Sequence, residues 1–165
     1  MKSVYKFISL ALAFTMLIAL SSCKKDDTES KTAGISAKEV LTAVTDENMD
    51  GKAFFKEDIF KDNCQKLYGI EYSDLQDGGI IYNSAGGLAD EISIIRLKSD
   101  ASHDPLDVLN SRKEMRIRDF TGYSPDEVSK IENAVVFEAS GFAVLIISDN
   151  ADDLQEKVTS AIKKG

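Results

Sequence analysis

The chain has 165 residues and a formal net charge of −8, because 28 acidic side chains outnumber 20 basic ones. That length suits one domain with a substantial core rather than two domains. The acidic surface that follows from the composition disfavours nucleic acid and anionic lipid headgroups as main binding partners.

The first 22 residues have the form of a signal peptide for export. Lys2 and Lys6 supply a positively charged start, and an apolar run from Phe7 to Leu20 follows. The run is shorter than the roughly 20 residues with which a helix spans a bilayer. It ends in Leu20-Ser21-Ser22-Cys23, which matches the bacterial lipobox. We therefore expect residues 1–22 to be a lipoprotein signal peptide that is removed before Cys23.

Cys23 is the expected lipid-attachment residue, since its thiol would receive a diacylglycerol. Two or three acyl chains anchor a protein stably where one does not, so we expect the chain on the extracytoplasmic face of the cell membrane. The alternatives are a transmembrane anchor, or an ordinary signal peptide with an incidental cysteine. Residues 23–34 lack apolar periodicity, which predicts a lipidated flexible tether before a single domain at 35–165.

Cys64 is the remaining cysteine once Cys23 carries lipid, so no disulfide is expected within the chain. It shares helical spacing with Phe60 and Leu67, which predicts a small buried apolar side chain. The alternative is a reactive thiol, which would require a basic or histidine neighbour that the sequence does not identify.

Five helices and four strands are predicted in the domain. A capping box of Ser36 and Glu39 begins the first helix, and Asp104 followed by Pro105 begins the third. The predicted helices start at the Ser36 cap, at Glu57, at Pro105, near Ser124 and after Asp149 or Asn150, and the predicted strands are 79–82, 91–97, 134–139 and 142–147.

Glycine-containing turns at Gly86-Gly87 and Ser140-Gly141 join these strands into two antiparallel hairpins. Helices with one apolar stripe bury that stripe against a sheet face. The predicted fold is therefore α+β in two layers, an antiparallel sheet of about four strands covered by helices.

Residues 46–57 match the formula of an EF-hand calcium loop. Asp46, Asn48 and Asp50 occupy the first three ligand positions, and Glu57 occupies the last. The flanking segments lack the apolar register of paired EF-hand helices. An acidic loop exposed to solvent between two helices is the simpler interpretation, and we assign no metal ligand and no cofactor.

A basic cluster of Arg112, Lys113, Arg116 and Arg118 lies on the third predicted helix. Acidic residues are interleaved with it, which favours a self-neutralised helix face in contact with solvent. The alternative is a docking site for an acidic partner or a wall polymer.

No catalytic residue is assigned from the sequence. The single histidine, His103, lacks the partner histidine or cysteine of a zinc site. Ser140 lacks the preceding glycine of a nucleophile elbow, and no spacing pairs two carboxylates for acid–base chemistry.

Several short motifs resemble a known family. They are Leu67-Tyr68-Gly69-Ile70, Ala89-Asp90-Glu91-Ile92, Arg112, the series Phe120, Tyr123, Pro125 and Glu127, and the Gly141 hairpin. Over residues 35–164 the chain resembles domain of unknown function 4358, small lipoproteins of low-GC Gram-positive bacteria. The resemblance implies a membrane-anchored extracytoplasmic module and brings no reaction, ligand or catalytic residue.

These observations favour a non-catalytic binding or accessory module of the cell envelope rather than an enzyme. Its expected partners are the membrane, through lipid on Cys23, and an envelope protein or wall component. Two alternatives remain open: a calcium-dependent binding module that uses residues 46–57, and an enzyme with a carboxylate site that no motif identifies.

Overall fold

The computed structural model describes residues 34–44 and 48–165. The predicted signal peptide, Cys23, the tether as far as Ala33, and Asp46 of the acidic segment lie outside these residues. Within them, no helix is both long and apolar enough to cross a membrane.

The described residues form five α-helices and five β-strands, joined by turns and by short 3₁₀ segments at Tyr72–Asp74 and Pro125–Glu127. In chain order they are α1 (Ala37–Ala43), β1 (Gly51–Phe54), α2 (Asp58–Tyr68), β2 (Leu75–Tyr82), β3 (Glu91–Leu97), α3 (Pro105–Thr121), α4 (Val128–Glu132), β4 (Val135–Ala139), β5 (Phe142–Ile147) and α5 (Ala151–Lys164).

The strands form one sheet in the order β1-β2-β3-β5-β4, and every neighbouring pair is antiparallel. The predicted α+β class is confirmed. The sheet has five strands where the sequence predicted about four, because Gly51–Phe54 pairs with β2 as an edge strand. Ala53 and Phe54 are buried there, so part of the segment interpreted as a solvent-exposed loop is sheet.

Helices cover both faces of the sheet, so the fold has three layers where the sequence predicted two. One apolar cluster joins the sheet to α2, α3 and α4, and the other joins it to α1 and α5. The central strands β3 and β5 contribute residues to both clusters, and the six residues of β5 are all buried. A strand with two covered faces is expected to be apolar along its length, and β5 is.

Local signals set the ends of several elements as predicted. The Ser36 hydroxyl accepts a hydrogen bond from the Glu39 N–H, and the Glu39 carboxylate accepts one from the Ser36 N–H, which completes the capping box of α1. The Asp104 carboxylate accepts from two N–H groups in the first turn of α3. The β2–β3 connection is longer than the predicted two-glycine turn, since pairing resumes only at Tyr82 and Glu91.

Candidate functional site

The most unusual chemical group in the domain is a carboxylate inside the core. Glu91 opens β3 and is fully buried. It faces α3 together with the next residue on that side of the strand, Ser93, which is also fully buried. Burying a lone carboxylate costs several kcal/mol, so partners must neutralise Glu91.

Two arginines of α3 supply the opposite charge. Arg112 binds Glu91 in a fork, with Nε 3.0 Å from Oε1 and Nη2 2.7 Å from Oε2. Arg116, one turn further along, places Nε 3.3 Å from Oε2 as a charge contact, and this buried Nε has no hydrogen-bond partner among the described residues. Both arginines lie on the face of α3 that covers the sheet.

This geometry corrects the interpretation of the basic cluster. The sequence predicted a solvated helix face, with a docking site as the alternative, yet Arg112 is buried and Arg116 is mostly covered. Lys113 also points back to the chain, since its Nζ donates to the carbonyls of Glu132 and Ala134. The physical reason is the charge of Glu91, which draws the arginines inward. Arg118 remains exposed on the helix.

The network continues from Glu91 to α2. The Ser93 hydroxyl donates to Glu91 Oε1 at 2.8 Å, and the buried Tyr68 hydroxyl donates to Ser93 Oγ at 3.1 Å. Burial, followed by the negative charge of Glu91, raises the pKa of Tyr68 well above its usual range. Tyr68 is therefore a fixed hydrogen-bond donor at physiological pH, and the chain of contacts ties α2, β3 and α3 together.

A second buried charge cluster lies directly beside the first. Lys130 of α4 places Nζ 3.0 Å from Asp90 Oδ2, 2.9 Å from Glu127 Oε2 and 3.4 Å from Asp149 Oδ2. Burial opposes the charge on this ammonium, but hydrogen bonds from it to Glu127 and Asp90 raise the pKa of Lys130 above its ordinary value. Lys130 thus holds a permanent positive charge at this point.

The backbone of Ala89 links the two clusters. Its N–H donates to Glu127 Oε2 at 2.8 Å, and its carbonyl accepts from Arg116 Nη2 at 3.3 Å. These contacts hold the end of the β2–β3 connection against α3 and the segment before α4. We call the residues Ala89, Asp90, Glu91, Arg112, Arg116, Glu127 and Lys130 the charge network.

The electrostatics of the charge network suit positioning rather than proton transfer. Burial alone would raise the pKa of Glu91, but the charges and hydrogen bonds of Arg112, with the charge of Arg116, bring it below the ordinary value. A carboxylate in this state holds no proton to donate near neutral pH. Both of its oxygens are also occupied by Arg112 and Ser93, so no free acceptor faces a substrate.

Two exposed apolar side chains border the charge network. Leu88, which precedes Ala89, is 37% exposed, and Tyr123, in the turn after α3, is 70% exposed. The Tyr123 ring meets Phe120 edge to face with centroids 6.3 Å apart, and the Arg116 guanidinium lies 4.5 Å from the centre of the Phe120 ring. An exposed aromatic ring therefore lies at the border of the charge network.

The described part of the calcium-loop motif does not gather its oxygen ligands. Both Asp50 oxygens accept from Ser84, and Glu57 accepts from Lys38 Nζ and the Phe54 N–H. The four residues of β1 span roughly 13 Å, at about 3.3 Å per residue, between Asp50 and the turn that carries Glu57. Within residues 34–44 and 48–165, no group of three or more acidic, histidine or cysteine side chains could hold a metal ion.

The remaining candidates from the sequence lie apart from one another. Cys64 is buried on α2, as predicted, and burial raises the pKa of its thiol to about 11, which keeps it protonated and unreactive. His103 is exposed in the loop between β3 and α3. A surface depression of about 510 Å³ on α5 is lined by Gln155, Glu156, Thr159, Ser160, Lys163 and Lys164.

A family model described as "Domain of unknown function (DUF4358)" matches residues 52–148, more than half of the chain. The chain belongs to this family. The match begins in β1 and ends just after β5, so it spans the whole sheet with α2, α3 and α4, whereas α1 and α5 lie outside it. No curated protein and no solved structure matches the chain.

The description of the family names no activity. The structure shows, however, where the motifs that carry the resemblance lie relative to one another. The residues on which the resemblance rests include Tyr68, Asp90, Glu91, Arg112 and Glu127, which are separated along the sequence and meet in or beside the charge network. The sequence analysis did not predict that these residues cluster in the fold. The available signal was a glutamate at the start of an otherwise apolar strand, together with arginines four residues apart on one helix.

Proposed function

We propose that this member of the family is a lipoprotein of a low-GC Gram-positive bacterium, anchored through Cys23 on the extracytoplasmic face of the membrane. The observation that carries the proposal is the sequence Leu20-Ser21-Ser22-Cys23, placed directly after a basic start and a short apolar run. The polar segment 23–34 would then tether the folded domain close to the membrane surface.

Within this setting, we propose a non-catalytic binding or accessory role. The charge network supports it, because a fixed carboxylate with both oxygens occupied is a structural group. The network also braces the loops that expose Leu88 and Tyr123. Tyrosine is enriched at protein interfaces and loses little conformational entropy there, so we favour an envelope protein over a wall polymer as the partner.

The chain supplies a matched pair of variants for testing the anchor. Cells that express the full chain are grown with a fatty-acid probe, and the labelled product is compared for the unmodified chain, Cys23→Ala and Cys64→Ala. Label should be lost in Cys23→Ala and kept in Cys64→Ala, because Cys64 is a buried thiol within the domain.

Membrane fractionation of the same three chains gives a second readout. Cys64→Ala should stay with the membranes, while Cys23→Ala should lose the acyl chains that hold it there. Equal labelling of Cys23→Ala and the unmodified chain would contradict the proposal.

The accessory role has its own test, in which a photo-crosslinking residue at Tyr123 should capture an envelope protein that the same residue at the exposed Ile59 of α2 does not.

A further inference from the structure

One edge of the sheet has main-chain groups that the described residues leave unpaired. The hairpin of β4 and β5 turns through Ser140 and Gly141, both with positive φ, so Ala139 and Phe142 beside the turn exchange hydrogen bonds. Pairing alternates along an antiparallel ladder. The N–H and C=O groups of Val136 and Glu138 therefore point away from β5, and no strand of the described residues lies beyond β4.

Main-chain and side-chain contacts within the protein cover this edge on both sides of that gap. Before β4, the Ala134 N–H donates to the Ile131 carbonyl, and the Ala134 carbonyl accepts from Lys113 Nζ at 3.0 Å. After β4, the Ser140 carbonyl accepts from Arg96 Nη2 at 3.3 Å. The unpaired stretch is thus limited to Val136 and Glu138, with two donors and two acceptors.

The opposite edge of the sheet, β1, is partly closed. The outward N–H of Phe54 in β1 donates to Glu57 Oε2 at 3.0 Å, and its carbonyl accepts from the Glu57 N–H at 3.0 Å. The other outward residue of β1, Lys52, is an exposed lysine, a residue that discourages pairing at a sheet edge. Among the described residues, β1 therefore leaves one outward residue without a covering contact, whereas β4 leaves two.

We propose that β4 pairs antiparallel with β4 of a second copy of this chain, about a two-fold axis at Phe137. In this register Val136 bonds with Glu138 of the partner subunit, and Glu138 bonds with the partner subunit's Val136. All four unpaired groups of each copy are then satisfied. Phe137 faces Phe137 of the partner subunit in a non-hydrogen-bonded pair, the closest approach in an antiparallel ladder and a favourable one for aromatic rings.

Charge placement fits a second copy. Glu138 lies directly opposite a valine, and Glu138 of the partner subunit is its diagonal neighbour at roughly 7–8 Å, so no like charges are directly opposite across the new ladder. The helix α5 packs on the face of the sheet to which Phe137 contributes, with Asp152 and Asp153 in its first turn and Lys163 and Lys164 in its last. The two-fold axis sets the two α5 helices antiparallel on one face, so the acidic first turn of each helix lies toward the same end as the basic last turn of the other. The inference does not depend on lipid at Cys23.

Thiol crosslinking of the full chain tests the register directly. In a Cys64→Ala background, Phe137→Cys is expressed, and both membrane and soluble fractions are oxidised with copper phenanthroline. Facing residues in this register lie within the 4.4–6.8 Å Cα separation that a disulfide spans, so we expect a disulfide-linked band at twice the chain mass, about tenfold stronger than for Lys52→Cys on β1. The background chain without a new cysteine measures any contribution of Cys23.

A second pair of variants covers the case in which Phe137→Cys fails to fold. The register places Val135 opposite Ala139 of the partner subunit, so cells that co-express Val135→Cys and Ala139→Cys chains should form the dimer, whereas cells that express either chain alone should not. Glu138→Pro removes a donor that makes no bond among the described residues, and should weaken the crosslink about tenfold while the chain still folds, whereas Glu138→Ala preserves the crosslink.

Each contrary result overturns the proposal. Equal crosslinking at positions 137 and 52, an undiminished crosslink in Glu138→Pro, or crosslinking by Val135→Cys alone as strong as in the co-expressed pair would exclude this register. A crosslinked band at the mass of a different protein would show that β4 accepts a strand from another partner instead of a second copy.

Discussion

Among the charged side chains of the charge network, Glu91 is the most deeply buried. It is a fully buried carboxylate, and its compensation comes from Arg112 and Arg116. Replacing a whole buried ion pair by apolar groups is often tolerated, but removing one partner leaves an uncompensated charge in the core. Loss of the Glu91 charge should therefore destabilise the fold, because it leaves the two arginines covered and without a counter-ion.

Glu91→Gln should lower the free energy of unfolding by about 3–5 kcal/mol, because it leaves two covered guanidinium groups without their counter-ion. Arg112→Gln should cost less, since Arg116 still neutralises Glu91. The double variant should lose less stability than the sum of the two single losses, because the groups are in direct contact. Urea unfolding measures all three.

Arg118→Gln is the matched control, since this arginine is exposed on the same helix. Its free energy of unfolding should lie within about 0.5 kcal/mol of the unmodified chain. If the three charge-network variants behaved like Arg118→Gln, Glu91 would have no structural role. A strictly additive double variant would mean that the Glu91–Arg112 contact is not formed.

The same carboxylate gives the domain a defined dependence on pH. The pKa of Glu91 is below its ordinary value in the folded state, so the unfolded chain binds its proton more readily. Its contribution to stability is complete above the unfolded pKa, near 4.3, and is lost as pH falls through the lower folded pKa. The pKa of Glu127 is also lowered, despite burial, by the Ala89 N–H and Lys130, and acts in the same direction.

Urea midpoints between pH 7 and pH 3 should show this loss as a decline that begins near pH 5 and steepens toward pH 3. Glu91→Gln should start from a lower midpoint and decline less, because it has no carboxylate to protonate. An identical decline in the two chains would exclude Glu91 as a source of the acid sensitivity.

At the scale of elements, the sequence predicted those whose signals are local. The cap and proline of α3 and the all-apolar β5 each act within a few residues, and the structure has both. The strand β1 was missed because four residues carry too little periodicity to stand out within an acidic stretch. The inward turn of Arg112 was missed because helical spacing shows that Arg112 and Arg116 share a face but not what that face meets, and Glu91 lies 21 residues away.

The segment that contains β1 also determines whether Ca²⁺ should stabilise the domain. We expect no rise in Tm when millimolar Ca²⁺ replaces EDTA, because Asp50 is bonded to Ser84 and the strand holds it apart from Glu57. At a Ca²⁺ concentration 100 times the Kd of such a site, binding would raise the free energy of unfolding by about 2.7 kcal/mol, which thermal unfolding detects easily. A rise in Tm that Asp50→Asn abolishes would favour the calcium-dependent module instead.

At the scale of the whole molecule, the residues that the family model matches coincide closely with the sheet and the helices on one of its faces. The matched residues 52–148 include all five strands and the charge network, apart from the first residue of β1 and the Asp149 contact with Lys130. The sheet and the network thus form one unit, to which α1 and α5 add a second covering layer. The function we propose places this unit outside the cell on a lipid anchor.

The mass of the mature N-terminal peptide tests that placement most directly. The full chain is purified from membranes, digested, and its first peptide is measured by mass spectrometry. We expect a peptide that begins at Cys23, lacks residues 1–22, and carries the added mass of two or three acyl chains on a glyceryl thioether. A mature chain that begins at any other residue, or an unmodified Cys23, would contradict it.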